Sequence, residues 1–171
     1  MKATRPSTKK YNTMYKKRVL ERDCYLPRRS PKEIIQCTGC GAFYFRRRWT
    51  LSLPSGFSNP VQAHPIYCPA CTKTRERFPG GELHLVGVEA ANRNEIARIL
   101  RNEEERARQK NPLERIMRLQ ATNGDWRVET TTEKLAQRLG RSIRKARGGK
   151  LQYKWGHNNK FARVVWEQVT E

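Results

Sequence analysis

Two short cysteine motifs decide the fold of this chain: CTGC at residues 37–40 and CPAC at residues 68–71. In a C-x-x-C turn, two thiolates and the backbone amides between them fit one edge of a tetrahedral metal ion, and two such turns complete the coordination shell. A complete shell leaves no open position for chemistry at the metal. The pattern predicts one structural Zn²⁺ ion with four ligands: Cys37, Cys40, Cys68 and Cys71.

The residues beside the cysteines agree with a zinc ribbon over residues 37–81. Gly41 follows the first pair, where a knuckle needs close backbone approach or a positive φ, and Pro69 stiffens the second turn. The 27 residues between the pairs leave room for a β-hairpin and an extended loop.

Disulfide bonds and a mixed ligand set are the alternatives to four thiolates. The chain has five cysteines and no apolar leader at its N-terminus, which argues against a disulfide framework. His64 stands four residues before the second pair and could replace one thiolate, but a complete set of four cysteines makes it unnecessary. Cys24 is interpreted as a free thiol.

The charge of the whole chain points to a polyanionic partner. Its 171 residues include 36 Lys and Arg against 16 Asp and Glu, a formal net charge of +20. A chain with this much self-repulsion gains by binding nucleic acid or an anionic surface. The mean hydropathy is -0.90, and no stretch approaches the ~20 apolar residues of a membrane span. We therefore expect a cytoplasmic protein without a membrane or small-molecule partner.

The positive charge is unevenly distributed. Residues 1–36 form a basic arm with eleven basic and three acidic side chains, whereas residues 82–124 hold eight basic and seven acidic ones. The arm is predicted to be disordered alone or to order along a nucleic-acid backbone. Three of its side chains are candidate phosphate contacts: Lys16, Lys17 and Arg18.

Residues 82–171 are predicted to form an α+β domain, a small sandwich with helices on one sheet face. A strand over 82–88 precedes a helix that begins at Asn92. Asn111 and Pro112 then predict a second helix, which would bury Leu113, Ile116 and Met117 and end at Asn123 and Gly124.

The rest of this domain alternates strand and helix. A strand over 126–130 leads to a capping box of Thr130 and Glu133, which predicts a helix over 134–147. Residues 151–169 then predict a β-hairpin. The predicted order is strand, two helices, strand, helix and hairpin.

Two clusters are candidate RNA contacts. The run FYFRRRW at 43–49 mixes aromatic rings, which can stack on unpaired bases, with guanidinium groups that can bind phosphates. The helix over 134–147 carries a basic stripe with almost no acidic residues after Glu133. The candidate residues are Tyr44, Arg46, Arg47, Arg48, Trp49, Lys134, Arg138, Arg141, Arg144 and Lys145.

Catalysis is not indicated by any motif. The chain has three histidines without the spacing of a metal site or a triad, and it lacks both G-x-x-x-x-G-K-[ST] and G-x-G-x-x-G. A DNA-binding zinc-ribbon regulator, with the helix over 134–147 in a major groove, is the alternative to RNA binding. A protein that recognises duplex DNA in this way would need dimer symmetry or a helix-turn-helix, and the sequence indicates neither.

The paired cysteines, Trp49 between them, and the stretch WRVETTTEKLAQRLGRSIRKARGGKLQYKW at 126–155 resemble the nonsense-mediated-decay-three family of large-ribosomal-subunit export adaptors. The resemblance covers residues 30–169, a zinc ribbon and the α/β portion that follows it. It implies binding to ribosomal RNA or a ribosomal subunit, with the four cysteines as zinc ligands. The combined prediction is a non-enzymatic, zinc-stabilised RNA-binding protein.

Overall fold

A computed structural model describes residues 34–56, 66–156 and 161–169 of the chain. It is a mixed α/β structure with three α-helices and two sheets in these residues, consistent with the predicted α+β class. None of the described helices is both long and apolar enough to cross a membrane. The predicted arm at 1–36 and His64 lie outside the described residues, except for residues 34–36.

The first part, which we call the cysteine unit, consists of residues 34–56 and 66–76. It contains an antiparallel sheet in the order β1, β2, β3, followed by a short helix. Its elements are β1 (Ile35–Gln36), β2 (Phe43–Phe45), β3 (Arg48–Thr50) and α1 (Pro69–Glu76). Cys37 pairs with Ile66 in a single parallel bridge, which ties the first knuckle to the segment before α1.

The second part is a five-stranded mixed sheet with two helices. The strand order is β5, β6, β4, β8, β7, and only the central pair of β4 and β8 is parallel. A 3-10 turn at Ala90–Asn92 precedes α2. The elements are β4 (Gly81–Val86), α2 (Arg93–Lys110), β5 (Ile116–Thr122), β6 (Asp125–Thr130), α3 (Glu133–Arg147), β7 (Lys150–Trp155) and β8 (Ala162–Glu167).

The helix α3 covers one face of this sheet, and α2 lies beside it. α3 packs on four of its strands, and α2 packs against α3. Alternate apolar residues of β4, β6 and β8 join the buried faces of the helices in one core. Gly140 allows α3 to lie close to the sheet, because a Cβ there would come within 2.8 Å of Val164 Cγ1. This continuous core stabilises the second part through apolar burial.

The prediction of a second helix after Asn111 is wrong. Asn111 and Pro112 do end α2, but Ile116–Thr122 is strand β5 rather than a helix. Asn123 and Gly124, which were expected to stop that helix, form the turn of the β5–β6 hairpin, with φ values of 48° and 90°. Two successive left-handed residues are the conformation that Asn-Gly favours in tight hairpins.

The capping box was also misplaced by two residues. Thr130 is the last residue of β6 and is buried, and the residue that caps α3 is Thr132. The backbone N–H of Leu135 donates to Thr132 Oγ1 at 3.3 Å. The boundaries of α3 nevertheless agree closely with the predicted helix over 134–147.

Candidate metal centre and basic surfaces

The four paired cysteines come together in one cluster. Their sulfur atoms all lie within 4.8 Å of one another, close enough to bind one metal ion. Cys37 Sγ lies 3.7 Å from Cys71 Sγ, and Cys40 Sγ lies 3.6 Å from Cys68 Sγ. A tetrahedral ion with ~2.3 Å metal–sulfur bonds would separate its ligands by roughly 3.8 Å, whereas a disulfide needs about 2 Å. All four are free thiols, so the disulfide alternative fails for them.

The second pair lies at the start of a helix rather than in a second knuckle. Cys68 is the N-cap of α1, and Cys71 lies in its first turn. The backbone N–H of Cys71 donates to Cys68 Sγ at 3.4 Å, and that of Cys68 donates to Cys37 Sγ at 3.1 Å. The N-terminal end of a helix also favours negative charge on a thiolate.

Two glycines shape the first knuckle. Gly41 has a φ of 72°, as the sequence predicted, and its N–H donates to Cys37 O at 2.9 Å. Gly39 has no room for a side chain, because a Cβ there would lie 2.8 Å from Cys71 Sγ. The knuckle can therefore approach α1 closely only with glycine at this position.

The cysteines perturb one another's ionisation. A hydrogen bond from the Cys68 thiol lowers the pKa of Cys40 to about 4. The same hydrogen bond, together with burial, raises the pKa of Cys68, and burial raises the pKa of Cys71. Four thiolates cannot all carry charge in this space without a cation, so the donor set fits a soft, thiophilic divalent metal.

Arg115 is a member of this centre that the sequence did not reveal. Its Nη2 donates to Cys71 Sγ at 3.1 Å and to Cys68 Sγ at 3.5 Å. Burial disfavours its charge, but the hydrogen bond to Cys71 and the nearby cysteine charges raise the pKa of Arg115 overall. Arg115 belongs to the second part of the chain, so it connects the sulfur cluster to the α+β structure.

Thr131 holds Arg115 in place. The backbone N–H of Arg115 donates to Thr131 Oγ1 at 2.8 Å, and the N–H of Thr131 donates to Arg115 O at 2.9 Å. Lys73, on α1, donates to Thr131 O at 3.1 Å. Leu113 packs against the apolar residues around the cysteines. The two parts of the chain therefore meet at Thr131, directly beside the sulfur cluster.

Two aromatic residues expected on the RNA-binding surface are in the core instead. Tyr44 and Trp49 are 3% and 8% exposed, and their ring centroids are 5.0 Å apart beside the cysteines. Both side chains are thus largely buried in the core around the cysteines, and their contact with RNA stays a prediction. A unit this small needs both rings to exclude water from the sulfur atoms.

The three arginines between those aromatics are exposed. Arg46 and Arg47 form the two-residue turn of the β2–β3 hairpin, and Arg48 begins β3. Both turn residues have left-handed backbones, with φ values of 46° and 65°. Such a turn prefers Asn-Gly, and a left-handed backbone costs a residue with a Cβ about 1 kcal/mol or more. Arg46 lies over the Phe45 ring, 5.1 Å from its centroid.

The basic stripe of α3 is present, with one exception. Lys134, Arg141, Arg144 and Lys145 are exposed, and none forms a salt bridge with another of the described residues. Arg138 instead bonds to Glu103 Oε1 at 2.8 Å and Glu114 Oε2 at 3.3 Å. Its charge is paired within the fold, and its contact with a phosphate stays a prediction.

Lys16, Lys17, Arg18 and Cys24 lie outside the described residues, and their roles stay predictions. Comparisons with protein-family models, curated proteins and solved structures found no match for this chain. The resemblance to the nonsense-mediated-decay-three family, on the residues quoted above, therefore also stays a prediction.

Proposed function

We propose that this chain is a non-enzymatic RNA-binding protein, stabilised by one Zn²⁺ ion and acting on ribosomal RNA or ribosomal particles. The Arg46–Arg47 turn is the observation that supports this proposal most directly. Asn-Gly would build the same turn with less strain, yet the chain places two exposed cations there. A strained backbone of this kind is characteristic of ligand-contact sites.

The metal assignment rests on the donor set. Four thiolates at tetrahedral separation are the ligands of a structural zinc site, in which zinc supplies binding energy for folding. The ion would be held by Cys37, Cys40, Cys68 and Cys71. The expected zinc content of the purified protein is one ion per chain, measured by inductively coupled plasma mass spectrometry. A content far below one would contradict the assignment.

RNA fits the described surfaces better than duplex DNA. The helices α2 and α3 are separated by the β5–β6 hairpin, so the described residues contain no helix-turn-helix. The exposed cations lie on a hairpin turn and on the outer face of α3, where they can contact phosphates of a folded RNA. The resemblance to a family of ribosomal-subunit adaptors points to the same class of partner.

The test is a binding competition at fixed salt among a structured ribosomal RNA fragment, single-stranded RNA and duplex DNA. Equal or tighter affinity for the duplex DNA would contradict the RNA assignment. The variant R46N/R47G carries the residues that the turn prefers, so we expect it to be more stable by about 1 kcal/mol. It should nevertheless bind RNA more weakly, with the salt slope reduced by roughly two.

A matched control is R98Q/R101Q, which removes the same charge from exposed positions on α2. We expect this control to bind RNA nearly as well as the wild type, because long-range charge is screened within about 10 Å at ordinary salt. If both double variants lost affinity equally, the hairpin turn would have no specific role.

A further inference from the structure

A groove lies between the β2–β3 hairpin and the C-terminal end of α2. Its volume is about 710 Å³, within the usual range for small-ligand sites of roughly 300–1,000 Å³. One side is formed by residues 45, 46 and 48–55, which follow the first knuckle, and the other by Gln109, Lys110 and Pro112. The groove therefore spans the junction between the cysteine unit and the α+β structure.

The lining of this groove combines apolar walls with cations. Phe45, Leu51 and Leu53 provide apolar surface, and Leu51 is 43% exposed there. Among the described residues of the lining, Arg46, Arg48 and Lys110 are charged and none is acidic. An aromatic and aliphatic wall beside guanidinium groups suits a flat, anionic ligand.

Trp49 adds an unpaired donor. Its side chain forms part of the groove lining, and its indole N–H is buried with no acceptor among the described residues. A buried donor without a partner is energetically unfavourable. Arg46, one of the two left-handed residues of the hairpin turn, also lines the groove, so two residues with an energetic cost belong to its lining.

We infer that this groove binds one unpaired nucleotide of the RNA. The base would lie against the apolar wall formed by Phe45 and Leu51, and Arg46, Arg48 and Lys110 would contact the flanking phosphates. An acidic peptide would match the cations but would leave the apolar wall without a flat partner. This inference rests on the proposed function, since it assigns part of the RNA contact to one place.

The test compares two fluorescently labelled decamers of equal charge, oligouridylate and an abasic ribose-phosphate chain, by fluorescence anisotropy. If a base is held, the wild type should bind oligouridylate roughly tenfold more tightly, because one stacked base contributes ~1–3 kcal/mol. The variant L51S should lose most of this difference while binding the abasic decamer as before. R46N/R47G should weaken binding of both decamers.

Leu119, on β5, provides the matched control, because it is also 43% exposed and lies outside the groove. L119S should keep the full preference for bases. Equal affinity of the wild type for the two decamers would overturn the nucleotide site alone. The same would follow if L51S and L119S had the same preference for oligouridylate over the abasic decamer. Displacement of oligouridylate by decaglutamate as readily as by unlabelled oligouridylate would overturn it in favour of an acidic peptide. Binding of neither decamer, with the structured ribosomal RNA fragment still bound, would overturn the nucleotide site alone. Failure to bind that fragment as well would overturn the proposed function.

Discussion

At the scale of single residues, Arg115 joins the sulfur cluster to the rest of the molecule. It donates to the sulfur atoms of Cys68 and Cys71, and Thr131 fixes its backbone. A cation that donates to coordinating sulfurs offsets part of the negative charge of a four-thiolate site. Arg115 is therefore a positioning residue for the cluster.

Replacing Arg115 by Met should weaken zinc binding by roughly tenfold, because loss of an outer-shell partner typically costs 10–100-fold in metal affinity. The rate of zinc release to a chromogenic chelator measures this effect. R115K should restore part of the zinc affinity, since lysine also donates a hydrogen bond but with less suitable geometry than arginine. The control R118M removes an exposed arginine three residues away. A release rate for R115M equal to that of R118M would show that Arg115 does not act on the metal.

Gly39 makes a second residue-scale prediction. In G39A the new methyl group would lie 2.8 Å from Cys71 Sγ, so the knuckle must move away from α1. We expect G39A to release zinc faster than the wild type and to melt at a lower temperature. T38S changes an exposed residue of the same turn but keeps the hydroxyl that donates to Ile66 O, so it should leave zinc release unchanged. Identical zinc release from the two variants would contradict the steric argument.

At the scale of elements, the sequence predicted those parts of the fold whose signals are local. The cysteine pairs and the boundaries of α3 were confirmed, because ligand spacing and a strong amphipathic pattern fix them. We predicted a helix where β5 lies, because the apolar residues of this segment fit helical spacing as well as strand spacing. β5 is an edge strand whose hairpin partner, β6, decides its conformation. Tertiary pairing of this kind has no local signal.

The site was less predictable than the fold for the same reason. Tyr44 and Trp49 are aromatic residues of the kind that stack on bases. Only their burial beside the cysteines shows that they belong to the core. Arg138 resembles its neighbours on α3 in sequence, but Glu103 on α2 and Glu114 neutralise its charge. The contact of Arg115 with the cysteines was not predicted, because the segment around it was assigned to a helix.

The open face of the large sheet supports a prediction about pH. Glu82, on β4, is 3% exposed and accepts hydrogen bonds from Arg127, Arg163 and His84 on that face. Burial works against its charge, but these hydrogen bonds hold the pKa of Glu82 below its ordinary value. A carboxyl with a lowered folded-state pKa stabilises the protein above its unfolded pKa of ~4.3, and this stability is lost as the pH falls through the folded value.

E82Q should therefore lower the free energy of unfolding by about 2 kcal/mol at pH 7. Urea unfolding measured from pH 7 to pH 3 should show the difference from wild type shrinking below pH ~4, as the wild-type carboxyl becomes protonated. E129Q changes a neighbouring acid on β6 with fewer partners and should have a smaller effect. A pH-independent difference between E82Q and wild type would mean that the charge of Glu82 contributes nothing.

At the scale of the whole molecule, the two parts depend on different sources of stability. The α+β structure has a continuous core of buried apolar residues from β4, β6, β8, α2 and α3. The core of the cysteine unit consists largely of the cysteines themselves with Tyr44, Trp49 and two alanines. Without a metal, the cysteine unit retains little apolar burial with which to offset the entropy of ordering its chain.

Removal of zinc should therefore unfold the cysteine unit first. In hydrogen exchange with a strong chelator and a reductant present, amides of β1 to β3 and α1 should lose protection, whereas those of β4 and β8 should keep most of theirs. C37S should reproduce this pattern without chelator. Lys73 and Arg115 both bond to Thr131 at the junction of the two parts. Amides around Thr131 should therefore lose protection after those of the cysteine unit. Simultaneous loss of protection in both parts would show that the chain folds as one cooperative unit, with the metal stabilising the large sheet as well.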